Sequence, residues 1–167
     1  RALVTAGADD GLFRACAAML APGREAIIPV PTFEMLHRYA RLTGATLVTP
    51  PWDGRDGAGY PVDAVRAALT PRTALVALVS PNNPTGAVVT RADLRAIAAA
   101  APRALIVVDH AYVEFADPEY DLTAEALTLP NALVLRTLSK AYGLAGLRVG
   151  LCLGSVELLT WLRSAGA

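Results

Sequence analysis

Two stretches of this chain leave little choice about its architecture. Thr73–Val79, T-A-L-V-A-L-V, and Ala104–Val108, A-L-I-V-V, are almost unbroken apolar runs of strand length. A strand with one face in water alternates apolar and polar residues, whereas a strand covered on both faces need not, and that condition is met in parallel sheets clothed by helices. Shorter runs at Leu3–Thr5, Ala26–Val30, Ala45–Thr49, Ala132–Arg136 and Leu147–Leu153 supply further strands. Between the strands the spacing turns helical, first at Leu12, Phe13, Cys16, Ala17, Met19 and Leu20. Strand and helix alternating in this way predict an α/β fold: a right-handed, doubly wound, mostly parallel sheet of about seven strands.

The remaining helices follow from the same spacing. Phe33–Leu42 reads as a helix with Leu36 and Tyr39 turned inward, and Val62–Leu69 as a shorter one. Thr90 caps the next, with Asp93 at the third helical position forming an approximate capping box and Leu94 and Ile97 forming the buried stripe. Ser155–Arg163 is the last. Pro50–Tyr60, rich in Gly, Asp and Pro, reads as a surface loop, and Asp117–Leu129 as a polar connector with a helical tail.

At 167 residues the chain suits one buried core, so residues 1–167 are expected to form a single domain. The formal charge is zero and no basic run interleaves with aromatics, which argues against nucleic acid and against an anionic membrane as partners. Although 54% of the residues are apolar, no run reaches the roughly 18 needed to cross a bilayer. Cys16 and Cys152 stand alone, without metal-ligand spacing, and are expected to be buried structural thiols; no metal site is expected, and a cytoplasmic location fits. The chain starts without Met in a strand pattern and stops inside a helical one, as a portion of a longer polypeptide would.

Ligands in open α/β sheets bind beyond the carboxyl ends of the strands, and four segments at such positions carry chemistry. Gly7-Ala8-Asp9 opens a helix with small residues; this is either an ordinary βα turn or an anion site built from free N–H groups and the helix dipole. Ser80–Gly86, S-P-N-N-P-T-G, is a loop stiffened by two prolines. Asp109 closes a wholly apolar strand; it is either a cap for the following turn or a carboxylate that needs a cation to offset its desolvation. Lys140 is the only lysine among fifteen basic residues. Arginine cannot deprotonate, whereas an amine can, and can then form a Schiff base with a carbonyl. Thr137 and Ser139 precede Lys140 and Arg148 follows it, the elements of a phosphate clamp.

In chain order, S-P-N-N-P-T-G, V-V-D-H-A-Y-V-E-F at Val107–Phe115 and R-T-L-S-K-A-Y-G-L-A-G-L-R at Arg136–Arg148 resemble the motifs of fold-type I pyridoxal-phosphate (PLP) enzymes of aminotransferase class I/II. The third motif is most similar to the histidinol-phosphate aminotransferase group. The resemblance implies that Lys140 carries PLP and serves as general base, that Asp109 pairs with the ring nitrogen, and that Asn83 and Tyr112 bond the ring oxygen. It further implies that Phe33 stacks on the ring and that Gly7, Ala8, Asp9, Thr137, Ser139 and Arg148 hold the phosphate. Leu147–Leu153 would then be an antiparallel strand, and residues 1–167 the large domain, without the N-terminal arm and the C-terminal small domain. Such a fragment is expected to be inactive alone, because the family's substrate-carboxylate arginine lies in the small domain. The full protein would be a homodimer using an amino donor and a 2-oxo acid acceptor. A threonine-phosphate-type decarboxylase and the PLP domain of a transcriptional regulator share these motifs, and a catalytically dead remnant would keep the fold. His110 departs from the pattern, which has glutamate there, and is expected to be peripheral to the cofactor.

Overall fold

Strand order alone defines the frame. In the computed structural model, which describes residues 1–53 and 59–166, the strands are β1 (Ala2–Thr5), β2 (Glu25–Ile27), β3 (Thr46–Val48), β4 (Thr73–Val79), β5 (Leu105–Asp109), β6 (Ala132–Thr137) and β7 (Gly150–Leu153). Among the described residues they form one seven-stranded sheet in the order β1-β7-β6-β5-β4-β2-β3. β7 runs antiparallel to both β6 and β1, and the other pairings are parallel. The helices are α1 (Gly7–Met19), α2 (Glu34–Leu42), α3 (Val62–Ala68), α4 (Arg91–Ala100), α5 (Thr123–Ala126) and α6 (Val156–Ser164).

Every residue of β4 and β5 is buried, as their unbroken apolar runs require. Alternation along the strands divides the core into two layers. Leu75, Leu105, Val107, Leu133 and Leu135 pack with Leu12, Ala15 and Cys16 of α1, Leu36 of α2 and Leu158, Leu159 and Leu162 of α6. On the other face Val76, Leu78, Ile106, Val108 and Val134 pack with Val65 of α3, Leu94 and Ile97 of α4 and Ala126 of α5. Thr90 and Asp93 form the reciprocal capping box at the start of α4. Burial pushes the thiols of both Cys16 and Cys152 up to about 12, so they behave as apolar side chains.

Some boundaries differ from the sequence reading. β7 begins at Gly150, because Ala145–Leu147 coil into a 3-10 turn and Leu147 is 64% exposed. On α1, Phe13 and Ala17 face outward while Gly7, Ala8 and Gly11 join the buried side; Phe13 instead meets Tyr39 edge-on at 5.6 Å. The Pro50–Tyr60 segment is anchored at both ends: Trp52 and Tyr60 are buried, 5.3 Å apart edge-on, and Tyr60 donates to the Ala77 carbonyl. Residues 54–58 of that segment lie outside the described residues. No helix of the described residues is long and apolar enough to cross a membrane.

Candidate active site

The carboxyl ends of β4, β5 and β6 and the start of α1 surround a cavity of about 270 Å³. Ala8, Asp9, Phe33, Asn83, Asp109, Tyr112, Thr137, Ser139, Lys140 and Arg148, all singled out from the sequence, line it. Gly7 does not; it lies just behind, under the guanidinium of Arg148. Leu12, Met35, Val79 and Ala111 complete the wall, and nothing in the residue types of these apolar groups distinguished them from core.

One side of the cavity is built for an anion. No side chain caps α1, so the first-turn N–H groups are left to the site, apart from the Ala6 N–H, which Asp10 accepts at 3.0 Å. Gly7 has φ 83°, and a Cβ there would sit 2.7 Å from Arg148 Nη2; a side chain would displace the guanidinium. Arg148 is itself left-handed, φ 50°, and donates through Nη1 to Ser139 Oγ and to the Ala145 carbonyl, both at 3.2 Å. The Ser139 hydroxyl hydrogen therefore remains available. Thr137 is used differently: its Oγ1 accepts from the Ser139 N–H at 3.2 Å and points at the Val149 carbonyl, so it shapes the turn. Asp9 turns one carboxylate oxygen to the Tyr39 hydroxyl, which donates at 2.7 Å, and its other oxygen is buried without a partner.

Gly150 was not anticipated as part of this region. A Cβ on it would lie 2.3 Å from the Gly7 carbonyl carbon and 2.6 Å from the Ala8 nitrogen, both backbone atoms of the turn that opens α1. Gly150→Ala is expected to cost about 1 to 3 kcal/mol by overpacking and to shift the Gly7–Ala8 turn. Urea unfolding checks this, and an unchanged midpoint would show that the turn has room to yield.

The opposite side is acidic and deep. Asp109 is 3% exposed, and its Oδ1 accepts the Ala111 N–H at 3.1 Å. Burial pushes its carboxyl up to about 6; the nearby Asp9 charge adds to the rise, while the Ala111 bond and Lys140 oppose it. Among the described residues no cationic side chain forms an ion pair with Asp109. Lys140 Nζ stands 5.2 Å from the centroid of the Tyr112 ring. The two asparagines of the S-P-N-N-P-T-G loop divide their work. Asn82 is buried and structural, accepting from Thr32 Oγ1 at 2.7 Å and donating to the Pro31 carbonyl and Thr85 Oγ1. Asn83 lines the cavity.

His110 does not line the cavity; it is completely buried on the opposite face of the sheet.

The chain has relatives among known proteins. Histidinol-phosphate aminotransferase of Methanococcus maripaludis (strain C5) is 38% identical over 156 residues, covering 93% of this chain and 42% of that protein. The histidinol-phosphate aminotransferase of Methanopyrus kandleri is 41% identical, with 39% of its length covered. The structure of N-succinyldiaminopimelate aminotransferase from Mycobacterium tuberculosis superposes with a TM-score of 0.89 at 30% identity, covering 98% of this chain and 44% of that one. The chain thus spans less than half the length of these relatives. The family model for aminotransferase class I and II matches residues 1–167, and with the whole chain inside that match, this protein belongs to the aminotransferase class I and II family.

Proposed function

We propose that residues 1–167 form the large, PLP-binding domain of an aminotransferase of the histidinol-phosphate type, whose remaining parts lie outside this sequence. The observation that carries the reading is Asp109, a buried carboxylate with no ion-pair partner among the described residues, in the same cavity as the only lysine of the chain.

The residues present fit PLP. The uncapped start of α1, Ser139 and Arg148 form a cradle for a phosphate dianion, with Gly7 leaving space for the guanidinium. Asp109 offers a charge partner for a protonated ring nitrogen, Asn83 and Tyr112 offer donors for the ring oxygen, and Phe33 offers an apolar face. When bound, the cofactor supplies an aldehyde for amine condensation and an electron-withdrawing ring beside the substrate's α-carbon.

The protein groups then have separable tasks. Asp109 would hold a proton on the ring nitrogen, and its burial with no ion-pair partner among the described residues favours such a cation. Lys140 Nζ, as a free amine, takes a proton from the substrate's α-carbon and returns one during the transfer. Asn83 and Tyr112, both in the cavity wall, would hold the ring by donating to its oxygen. Val79, Leu12 and Phe33 keep water from the inner wall. The relatives named histidinol-phosphate aminotransferase support an amino-alcohol phosphate as amino donor and a 2-oxo acid as acceptor. A homodimer in the cytoplasm completes the reading.

The test is a half-reaction in which the full-length protein loaded with PLP meets histidinol phosphate, glutamate and several neutral amino acids, followed by absorbance. Amino-group uptake from histidinol phosphate at least tenfold faster than from neutral amino acids is expected. Uptake from none of them would refute the activity, and release of carbon dioxide would replace transamination with decarboxylation.

A further inference from the structure

His110 ties the end of β5, which carries Asp109 and Tyr112, to the Ser80 loop that carries Asn83 and to the Leu122 connector on the far face of the sheet. Its Nε2 accepts the Leu122 N–H at 3.0 Å, so that nitrogen carries no proton. Its Nδ1 lies 2.6 Å from the Ser80 carbonyl, which can only accept, so Nδ1 carries the proton and donates. The ring is therefore the neutral Nδ1–H tautomer, with both nitrogens satisfied. Ser80 is fixed elsewhere as well: its N–H donates to the Asp109 carbonyl at 2.9 Å and its Oγ accepts the Val89 N–H at 2.9 Å. The His110 N–H donates to the Leu135 carbonyl of β6 at 3.0 Å, and its own carbonyl accepts the Val113 N–H at 3.4 Å, closing the turn that carries Tyr112.

We propose that His110 is a positioning residue, a neutral clamp that binds the Ser80 loop bearing Asn83 and the Leu122 connector to the end of β5, and so holds Asp109, Asn83 and Tyr112 in one arrangement. Asp109 and His110 are adjacent on one strand end, so their side chains point to opposite faces of the sheet. The cavity side bears the chemistry, and the far side is locked by the imidazole. A carboxylate at position 110 could not give the same pair of bonds while ionised, because it has no proton for the Ser80 carbonyl.

Protonation should open the clamp. A doubly protonated ring would turn an N–H toward the Leu122 N–H, and the bond is lost. Burial holds the ring neutral well below its ordinary range. Of the charges facing it, Asp121 and Glu114 favour the proton and Arg136 opposes it. Arg136 is itself paired with Glu114 at 2.8 Å and with Asp121 at 3.4 Å, so the three charges offset one another largely among themselves.

The link to the cofactor rests on the function proposed above; the clamp itself does not. The experiment compares full-length wild type, His110→Asn and His110→Phe by hydrogen–deuterium exchange without cofactor and by PLP affinity. His110→Asn keeps a donor for Ser80, but its oxygen stops short of the Nε2 position that the Leu122 N–H meets, so the Leu122 amide should exchange at least tenfold faster, with residues 80–89 unchanged. His110→Phe should loosen both. PLP affinity should fall about tenfold in His110→Phe and less in His110→Asn. Unchanged Leu122 exchange overturns the clamp. Faster exchange with unchanged PLP affinity overturns its role in positioning. Should His110→Phe fail to fold, the exchange and affinity of His110→Asn decide both points. If wild type binds no PLP, the functional reading fails, and the clamp still stands or falls by exchange alone.

Discussion

Lys140→Arg in the full-length protein is expected to abolish transamination while leaving the fold intact. The substitution keeps a cation that can lie over the Tyr112 ring, where Lys140 Nζ now stands 5.2 Å from the centroid. It removes the one property arginine cannot supply, an amine that can give up its proton and attack a carbonyl. A positioned general base contributes about 10²- to 10⁴-fold, and loss of the amine proposed to anchor the cofactor would add to this, so the half-reaction should slow by at least about a thousandfold. Since Lys140 is the only side-chain amine within these 167 residues, borohydride reduction with PLP should label it in wild type and leave the segment unlabelled in the variant. Absorbance in a single turnover gives the rate and peptide mass gives the site. A variant that keeps a tenth of the wild-type rate, or a wild-type label on another residue, removes Lys140 from the centre of the mechanism.

The parts of the molecule that could be read from sequence are those where a local pattern has one physical solution. Thr73–Val79 had to be buried on both faces because no polar residue interrupts it, and Thr90 with Asp93 had to cap because the side chains satisfy each other's backbone donors. Patterns with two solutions were less informative. Phe13 fits the apolar spacing of α1, but Gly7, Ala8 and Gly11 let the helix approach β7 closely on a different side, and Phe13 is left against Tyr39. Leu147 extends the apolar run of β7 in sequence, but the left-handed Arg148 breaks the strand before it.

In the candidate site, motif residues were legible and their supports were not. Gly150 carries no chemistry, and only the 2.3 Å that would separate its Cβ from the Gly7 carbonyl carbon shows why it is glycine. Asn82 and Asn83 are the same residue type side by side, and only the bonds to Pro31, Thr32 and Thr85 assign one of them to the scaffold. His110 looked peripheral because its bonds run to Ser80 and Leu122, thirty residues before it and twelve after, a closure that no local pattern encodes. Thr137 lines the cavity, and its hydroxyl also accepts the Ser139 N–H of the turn, a structural task that its residue type does not announce.

Asp109→Asn should stabilise the cofactor-free protein and disable it in the same step. With the folded carboxyl raised from 3.8 to about 6, the unfolded chain releases its proton first as pH rises. Between those values the folded state binds more protons, so stability falls with pH and reaches its floor above about 6. At 1.36 kcal/mol for each unit, the ionised carboxylate costs the fold about 2 to 3 kcal/mol at neutral pH. Asparagine keeps an oxygen for the Ala111 N–H, carries no charge, and turns its amide toward the open cavity where water can meet it. Urea unfolding of cofactor-free, full-length protein at pH 7.5 should therefore show a gain of that order, disappearing near pH 4. The same change removes the charge that would hold a proton on the ring nitrogen, a charge-assisted bond of about 3 kcal/mol in a buried site, so α-proton removal should slow by about a hundredfold or more. The two effects have one cause: a buried carboxylate with no ion-pair partner among the described residues costs stability, and the proposed ring nitrogen would offset that cost. A variant that unfolds more easily at pH 7.5 and still removes the α-proton at the wild-type rate would show that Asp109 supports the strand end and holds no ring nitrogen.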